Sequence, residues 1–179
     1  MTSTDFRVHP AAPRGLDDAL HGLLTGADEE FVPPLSSRTG TLQSALGPAT
    51  ARAGIDAYLA AVLDQELLVA QDVDGVLGFL SYRPDHVVAV DGRRPIGPVA
   101  YVTTIVVAPT ARGRGVGRAL YRALLDGPAG RAVATRTWSG NASHLALLAS
   151  LGFAEVIRLP DDRGPGLDTV YLLLEQGSR

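Results

Sequence analysis

The sequence predicts an α/β fold: a mixed central sheet of six to seven strands flanked by about four helices. Three observations point there. The hydrophobic period changes near residue 65 from helical spacing to strand-like runs. The pair Asp74-Gly75 between two such runs is a hairpin signal, which makes neighbouring strands antiparallel. Further along, strand-like and helical runs alternate, which requires crossover connections. The order read from the chain is β-α-α-β-β-β-α-β-α-β-β, and 179 residues suit a single domain over 1–179.

In chain order, Asp5–His9 reads as a short strand. Leu16–Leu24 reads as a helix with Leu16, Leu20, Leu23 and Leu24 at helical spacing. Residues 26–54 are rich in Gly, Pro, Ser and Thr and form either a long loop or a pair of short helical turns; long loops in compact domains are often functional. Ile55–Leu63 is a second helix. Leu67–Gln71 and Val76–Tyr82 are strands, the latter extended by Val87–Val90, and Asp91–Pro98 is a loop. Ala100–Val107 is a strand rich in β-branched residues that Pro109 terminates. Gly115–Leu125 is a helix with Val116, Leu120 and Leu124 on one face. Ala132–Thr137 is a strand, and Asn141–Leu151 a helix ended by Gly152. Phe153–Leu159 and Thr169–Leu174 are a closing pair of strands around the polar loop Pro160–Gly166.

Composition removes several classes of function. With no cysteine, disulfides and thiolate metal sites are excluded, and four scattered histidines offer no metal cluster. The absence of cysteine fits a reducing compartment, so a cytoplasmic protein is the expectation. The N-terminal segment has no apolar run of a secretory signal, and no stretch approaches the roughly 20 apolar residues of a membrane span. A net charge of −3 argues against a general nucleic-acid binder. All sixteen basic residues are arginine, whose fork of donors suits phosphate.

The strongest local signal is the strand, then Pro109, then Arg112-Gly113-Arg114-Gly115-Val116-Gly117, then a helix. Glycines let the backbone turn tightly and approach a ligand without a Cβ in the way. The first amides of the helix have no internal partners and carry the positive end of the helix dipole. Arg112, Arg114 and Arg118 add charge, so the segment reads as a pyrophosphate cradle. It is not a Walker loop, since no Gly-Lys-Ser/Thr follows. The glycine spacing is G-x-G-x-G and lies late in the chain, which does not match a Rossmann fingerprint. The plain alternative is a Gly-rich strand–helix turn with solvated arginines.

These residues resemble motif A of the GCN5-related N-acetyltransferase (GNAT) superfamily, with Arg112, Gly115 and Gly117 at its fixed positions and Ile105-Val-Val-Ala-Pro109 ahead of it. A second segment, Asn141-Ala-Ser-His-Leu-Ala-Leu-Leu148-Ala-Ser-Leu-Gly152-Phe153, is similar to the family's motif B. The resemblance covers the second half of the chain and implies a GNAT-like single domain with a mostly antiparallel sheet. It implies acetyl-CoA as co-substrate. Backbone groups of Ile105, Val106 and Val107 would hold the pantetheine arm. The segment Gly113, Arg114, Gly115, Val116, Gly117 and Arg118 would hold the pyrophosphate together with Arg112. Asn141 would contact the pantetheine, and it reads equally as a helix N-cap. Trp138 and Phe153 read as core residues. Members of the family often pair, so a homodimer is allowed for.

The expected activity is direct transfer of acetyl to a primary amine, on a small molecule or a peptide amino group. An amine must lose a proton to attack, an oxyanion needs a donor such as the N–H of Val106 or Val107, and the departing thiolate needs a proton. The family's usual acid is a tyrosine seven residues after the Asn, but here that position is Leu148. His144, near the same helix face as Asn141, and Tyr82 and Tyr101 on the central strands are the candidates that remain, each also readable as structural. The base is unassigned: Tyr101–Ile105 holds no carboxylate, Glu66, Asp85, His86, Glu29 and Glu30 are alternatives, and a water wire past Thr103 or Thr104 is another. The resemblance places the acceptor between Asp28–Ala53 and Pro160–Gly166, where Asp28, Glu29, Glu30, Asp161 and Asp162 would make an acidic mouth suited to a cationic amine. The missing tyrosine and glutamate keep a second reading open, a catalytically silent acyl-CoA sensor or interaction domain.

Overall fold

The computed structural model describes residues 5–11, 15–46, 54–129 and 132–177. Its elements follow the expected order: β1 (Arg7–Ala11), α1 (Asp17–Ala27), α2 (Gly54–Leu63), β2 (Glu66–Asp72), β3 (Gly75–Val88), β4 (Ile96–Val107), α3 (Val116–Asp126), β5 (Ala132–Trp138), α4 (Ala142–Leu151), β6 (Ala154–Leu159) and β7 (Thr169–Glu175). The strands form one seven-stranded sheet in the order β1-β2-β3-β4-β5-β7-β6. β1–β2, β5–β7 and β6–β7 pair antiparallel, and β4–β5 is parallel. The mixed, mostly antiparallel architecture with four helices is therefore the one expected.

Three boundaries differ from the sequence reading. The first strand lies at Arg7–Ala11, two residues later than Asp5–His9, and includes Pro10 opposite Leu68. A proline is tolerated there because β1 is an edge strand with one side unpaired. The loop expected over Asp91–Pro98 is shorter, since β4 begins at Ile96. Gly97 makes this early start workable: its φ is +130°, and a Cβ on it would lie 2.6 Å from the His86 carbonyl oxygen. The long segment after α1 contains three short 3-10 turns, Asp28–Glu30, Leu35–Ser37 and Gln43–Ala45, not two; residues 47–53 of it lie outside the described residues.

The chain divides into two compact units. The first comprises residues up to Ser81 together with Thr104–Ala123, and the second Tyr82–Thr103 together with residues from Leu124 onward. The first unit's core packs Leu20 and Leu24 of α1, Tyr58 and Val62 of α2, Leu67 and Val69 of β2, Phe79 of β3 and Val106 of β4. Removing each such aliphatic side chain from water contributes about 1.5–3 kcal/mol. The Tyr58 hydroxyl lies 2.8 Å from the Thr104 hydroxyl, so the polar tip of a fully buried ring is satisfied. The second unit's core includes Val102, Val133, Leu148, Phe153 and Tyr171. Its α4 starts at the cap Asn141 and stops at Gly152, which takes φ +97° while the Phe153 N–H returns to the Leu148 carbonyl. No helix among the described residues is long and apolar enough to cross a membrane.

Gly78 marks a close approach of β3 and β4. A Cβ there would sit 2.6 Å from the Val106 carbonyl oxygen and 3.1 Å from the Val107 Cα. Gly78→Ala is expected to destabilise by about 1–3 kcal/mol and to lower the midpoint of thermal unfolding by several degrees, because backbone cannot move aside as a flexible side chain would. An unchanged midpoint in a calorimetric melt would show that the strands have room to spare.

Candidate functional site

β4 pairs in parallel with β5 over Ala100–Val102 against Val133–Thr135, and the Thr135 hydroxyl donates to the Val102 carbonyl at 3.1 Å. β4 itself runs on to Val107. Thr104 and Val106 are buried, while Ile105 and Val107 are half-buried on the alternate face. The end of β4 thus carries extended backbone, the form that pairs with an extended, amide-bearing ligand.

The strand leads straight into the glycine segment. The Ala108 N–H donates to the Leu77 carbonyl at 2.8 Å, a 3-10 turn spans Pro109–Ala111, and the Arg112 N–H returns to Pro109. Gly113 and Gly115 then take φ +75° and +81°, conformations an L side chain adopts only with strain. No atom lies within 4 Å of where either Cβ would stand, so backbone conformation, not crowding, requires glycine there. The first bond of α3 runs from the Ala119 N–H to the Gly115 carbonyl at 2.9 Å, which places Val116, Gly117 and Arg118 in the turn ahead of it. Buried Val116, Leu120 and Tyr121 hold the helix in place. Two left-handed residues next to a helix start form the concave set of amides that receives anions.

Carboxylates already accompany two of the three arginines expected around this cradle. Arg112 Nη2 donates to both Glu30 carboxylate oxygens, at 2.8 and 2.7 Å, and Arg112 Nε points to the Val107 carbonyl at 3.4 Å. Arg114 Nη2 lies 3.4 Å from Asp72 Oδ2. The residues expected to form an acidic mouth also hold local structure. Asp28 accepts from the Ser36 N–H and hydroxyl, Glu30 sits on Arg112, Asp161 accepts from the Gly166 N–H, and Asp162 accepts from the Thr169 hydroxyl. Glu29, Glu30, Asp161 and Asp162 are exposed. Sequence reasoning missed the Glu30–Arg112 pair because no local pattern links residues 82 positions apart.

In the second unit, Asn141 is the N-cap of α4: its Oδ1 accepts from the His144 N–H at 3.4 Å and its Nδ2 donates to the Thr137 hydroxyl at 3.0 Å. Burial pushes the His144 imidazole down to about 4, so it is neutral near pH 7 and a poor proton donor there. Leu148, at the position where the family resemblance calls for a tyrosine, is fully buried. Tyr101 is buried and stacks on His86, with ring centroids 4.9 Å apart. The His86 pKa is lowered by burial and by the Arg83 charge. Tyr82 is half-buried, and Asp85 is exposed at φ +50°. Trp138 is half-buried under the Arg163 guanidinium, 5.8 Å from its ring centre, and Phe153 is buried as expected of a core residue. In the first unit, Glu66 is exposed, and the Thr104 hydroxyl is hydrogen-bonded to the Tyr58 hydroxyl.

Residues 39–153 match the acetyltransferase (GNAT) family, a span that includes both glycine-bearing segments. No curated protein matches the sequence. Among solved structures, YncA of Salmonella typhimurium, determined with its cofactor acetyl-CoA, is 21% identical with a TM-score of 0.67, over 98% of this chain and 96% of that one. The ribosomal-protein-alanine N-acetyltransferase of Brucella melitensis is 23% identical with a TM-score of 0.63, over 95% of this chain and 99% of that one. An N-acetyltransferase of Staphylococcus aureus Mu50 is 17% identical with a TM-score of 0.64, over 95% and 98%. At these identities the likeness is one of fold.

The state of His144 is open to direct measurement. Its folded pKa lies below the ordinary value, so protonation favours the unfolded chain. Its contribution to stability is complete above about pH 6.5 and is lost as pH falls from there toward about 4. An NMR titration of the ring Cε1–H should show no midpoint between pH 8 and 5, and His144→Asn should flatten the decline of stability in the acid window. A midpoint near 6.5 would mean that the ring is hydrated and available to donate.

Proposed function

The chain belongs to the acetyltransferase (GNAT) family, and we propose that it moves the acetyl group of acetyl-CoA directly to a primary amine on a small molecule or a peptide. The observation that carries this reading is the succession of the extended end of β4, two left-handed glycines and the start of α3. The amides of Gly113–Arg118 suit a pyrophosphate, and the arginines around them suit its charge. The extended backbone of Ile105–Val107 suits the amide-bearing pantetheine arm. Asn141, which the family resemblance assigns to that arm, caps α4 in the second unit.

In the transfer, the amine nitrogen forms a bond to the acetyl carbon, and the bond from that carbon to sulfur breaks. An N–H at Val106 or Val107 steadies the oxygen as charge builds on it. One proton leaves nitrogen and one reaches sulfur, so the exchange balances. Leu148 cannot supply the proton, and a neutral His144 supplies it poorly, so solvent is the carrier this reading favours, with Tyr82 and Tyr101 as the remaining side-chain candidates. The fully buried Leu148 also favours the second reading, an acyl-CoA-binding domain without turnover.

Calorimetric titration with acetyl-CoA and with CoA tests the first step. Micromolar binding is expected, and a Gly113→Val/Gly115→Val variant should lose it at least tenfold, because β-branched residues resist positive φ. A thermal melt confirms that the variant remains folded. Thiol release across a panel of amines then separates enzyme from sensor. Binding without turnover for every amine supports the sensor, and no binding by the folded wild-type protein overturns both readings.

A further inference from the structure

Two carboxylates stand on the cradle arginines of the first unit, and they differ in how firmly they are fixed. Asp72 is held. Its side chain is only 10% exposed, and its Oδ1 accepts the Asp74 N–H in the β2–β3 turn while Oδ2 faces Arg114. Glu30 is not held in this way. Its side chain is 49% exposed, and among the described residues it bonds to Arg112. The turn that carries it is nevertheless ordered. Asp28 takes both the amide and the hydroxyl of Ser36, and Arg38 donates twice to the Pro33 carbonyl with its guanidinium over Phe31. An ordered turn therefore presents a half-exposed carboxylate to the arginine that opens the cradle.

An arginine fork recognises carboxylate and phosphate through the same charge-assisted contacts. We propose that Glu30 is an internal anion competing for Arg112, so that it sets the affinity of the cradle for pyrophosphate-bearing ligands. This rests on the reading of Gly113–Arg118 as a phosphate site. When such a ligand enters, Arg112 turns from Glu30 to the phosphate, and the Asp28–Glu30 turn loses its tie to the cradle. Asp72, with its second oxygen committed, stays on Arg114 throughout. Glu30 therefore weakens the cradle for ligands that must take Arg112 from it, and leaves a neutral pantetheine thioester, which does not compete for that arginine, unaffected.

The test compares Glu30→Gln with Glu29→Gln, which removes the same charge from the same turn at an exposed residue. Calorimetry measures CoA and acetyl-pantetheine, which lacks the pyrophosphate, at low and high salt. Glu30→Gln should bind CoA about three- to tenfold tighter than wild type at low salt, with the gain shrinking as salt screens the pair. Glu29→Gln should change CoA binding less than twofold, and acetyl-pantetheine should bind all three proteins alike. Weaker or unchanged CoA binding by Glu30→Gln would overturn the competition and make Glu30 a support for Arg112. An equal gain in Glu29→Gln would reduce the effect to the general field of the turn. A wild-type protein that binds no CoA at all would remove the phosphate-site reading itself, and the competition with it.

Discussion

The fixed course of the end of β4 is the constraint on which the candidate site depends. It is held by the close approach at Gly78, by Val106 in the core and by the Thr104–Tyr58 bond. Had that strand been free to drift, neither its extended backbone nor the glycine segment after it would have a defined place. The strand delivers the chain to Pro109, and from there the glycines aim the first amides of α3.

The electrostatics of the cradle are more balanced than a count of arginines suggests. Arg112 and Arg114 each face a carboxylate, and the backbone adds its own positive end through two left-handed glycines and a helix start. Such charge is fixed in place and needs no side-chain reorganisation to meet a ligand. The arginines then tune that site. On the acceptor side, Asp28, Asp161 and Asp162 do a second job, accepting hydrogen bonds that hold their turns together.

What was legible in the sequence was local. Pro109, the spaced glycines and the onset of Val116, Leu120 and Leu124 all lie within one short window, and each constrains the backbone through its own stereochemistry. The Asp74-Gly75 hairpin and the Asn141 and Gly152 ends of α4 were readable for the same reason. What was not legible depended on partners distant in sequence. Pro98 reads as a loop residue, yet it sits in β4 because of how that strand meets β3. Glu30 reads as a solvated charge or an acceptor-side carboxylate until the fold sets it on Arg112. His144 reads as a residue titrating near neutrality until burial lowers its pKa. The position of Leu148 was clear from spacing, but its complete burial was not.

The central claim is that backbone amides from Gly113 to Arg118, together with the end of β4, form the binding site. Amide chemical shifts followed by NMR during a CoA titration test it most directly. The account predicts that the largest changes fall on the amides of Gly113–Arg118, with a second group at Ile105–Val107. Changes confined to β6, β7 and the loop between them, with Gly113–Arg118 unmoved at saturation, would contradict it.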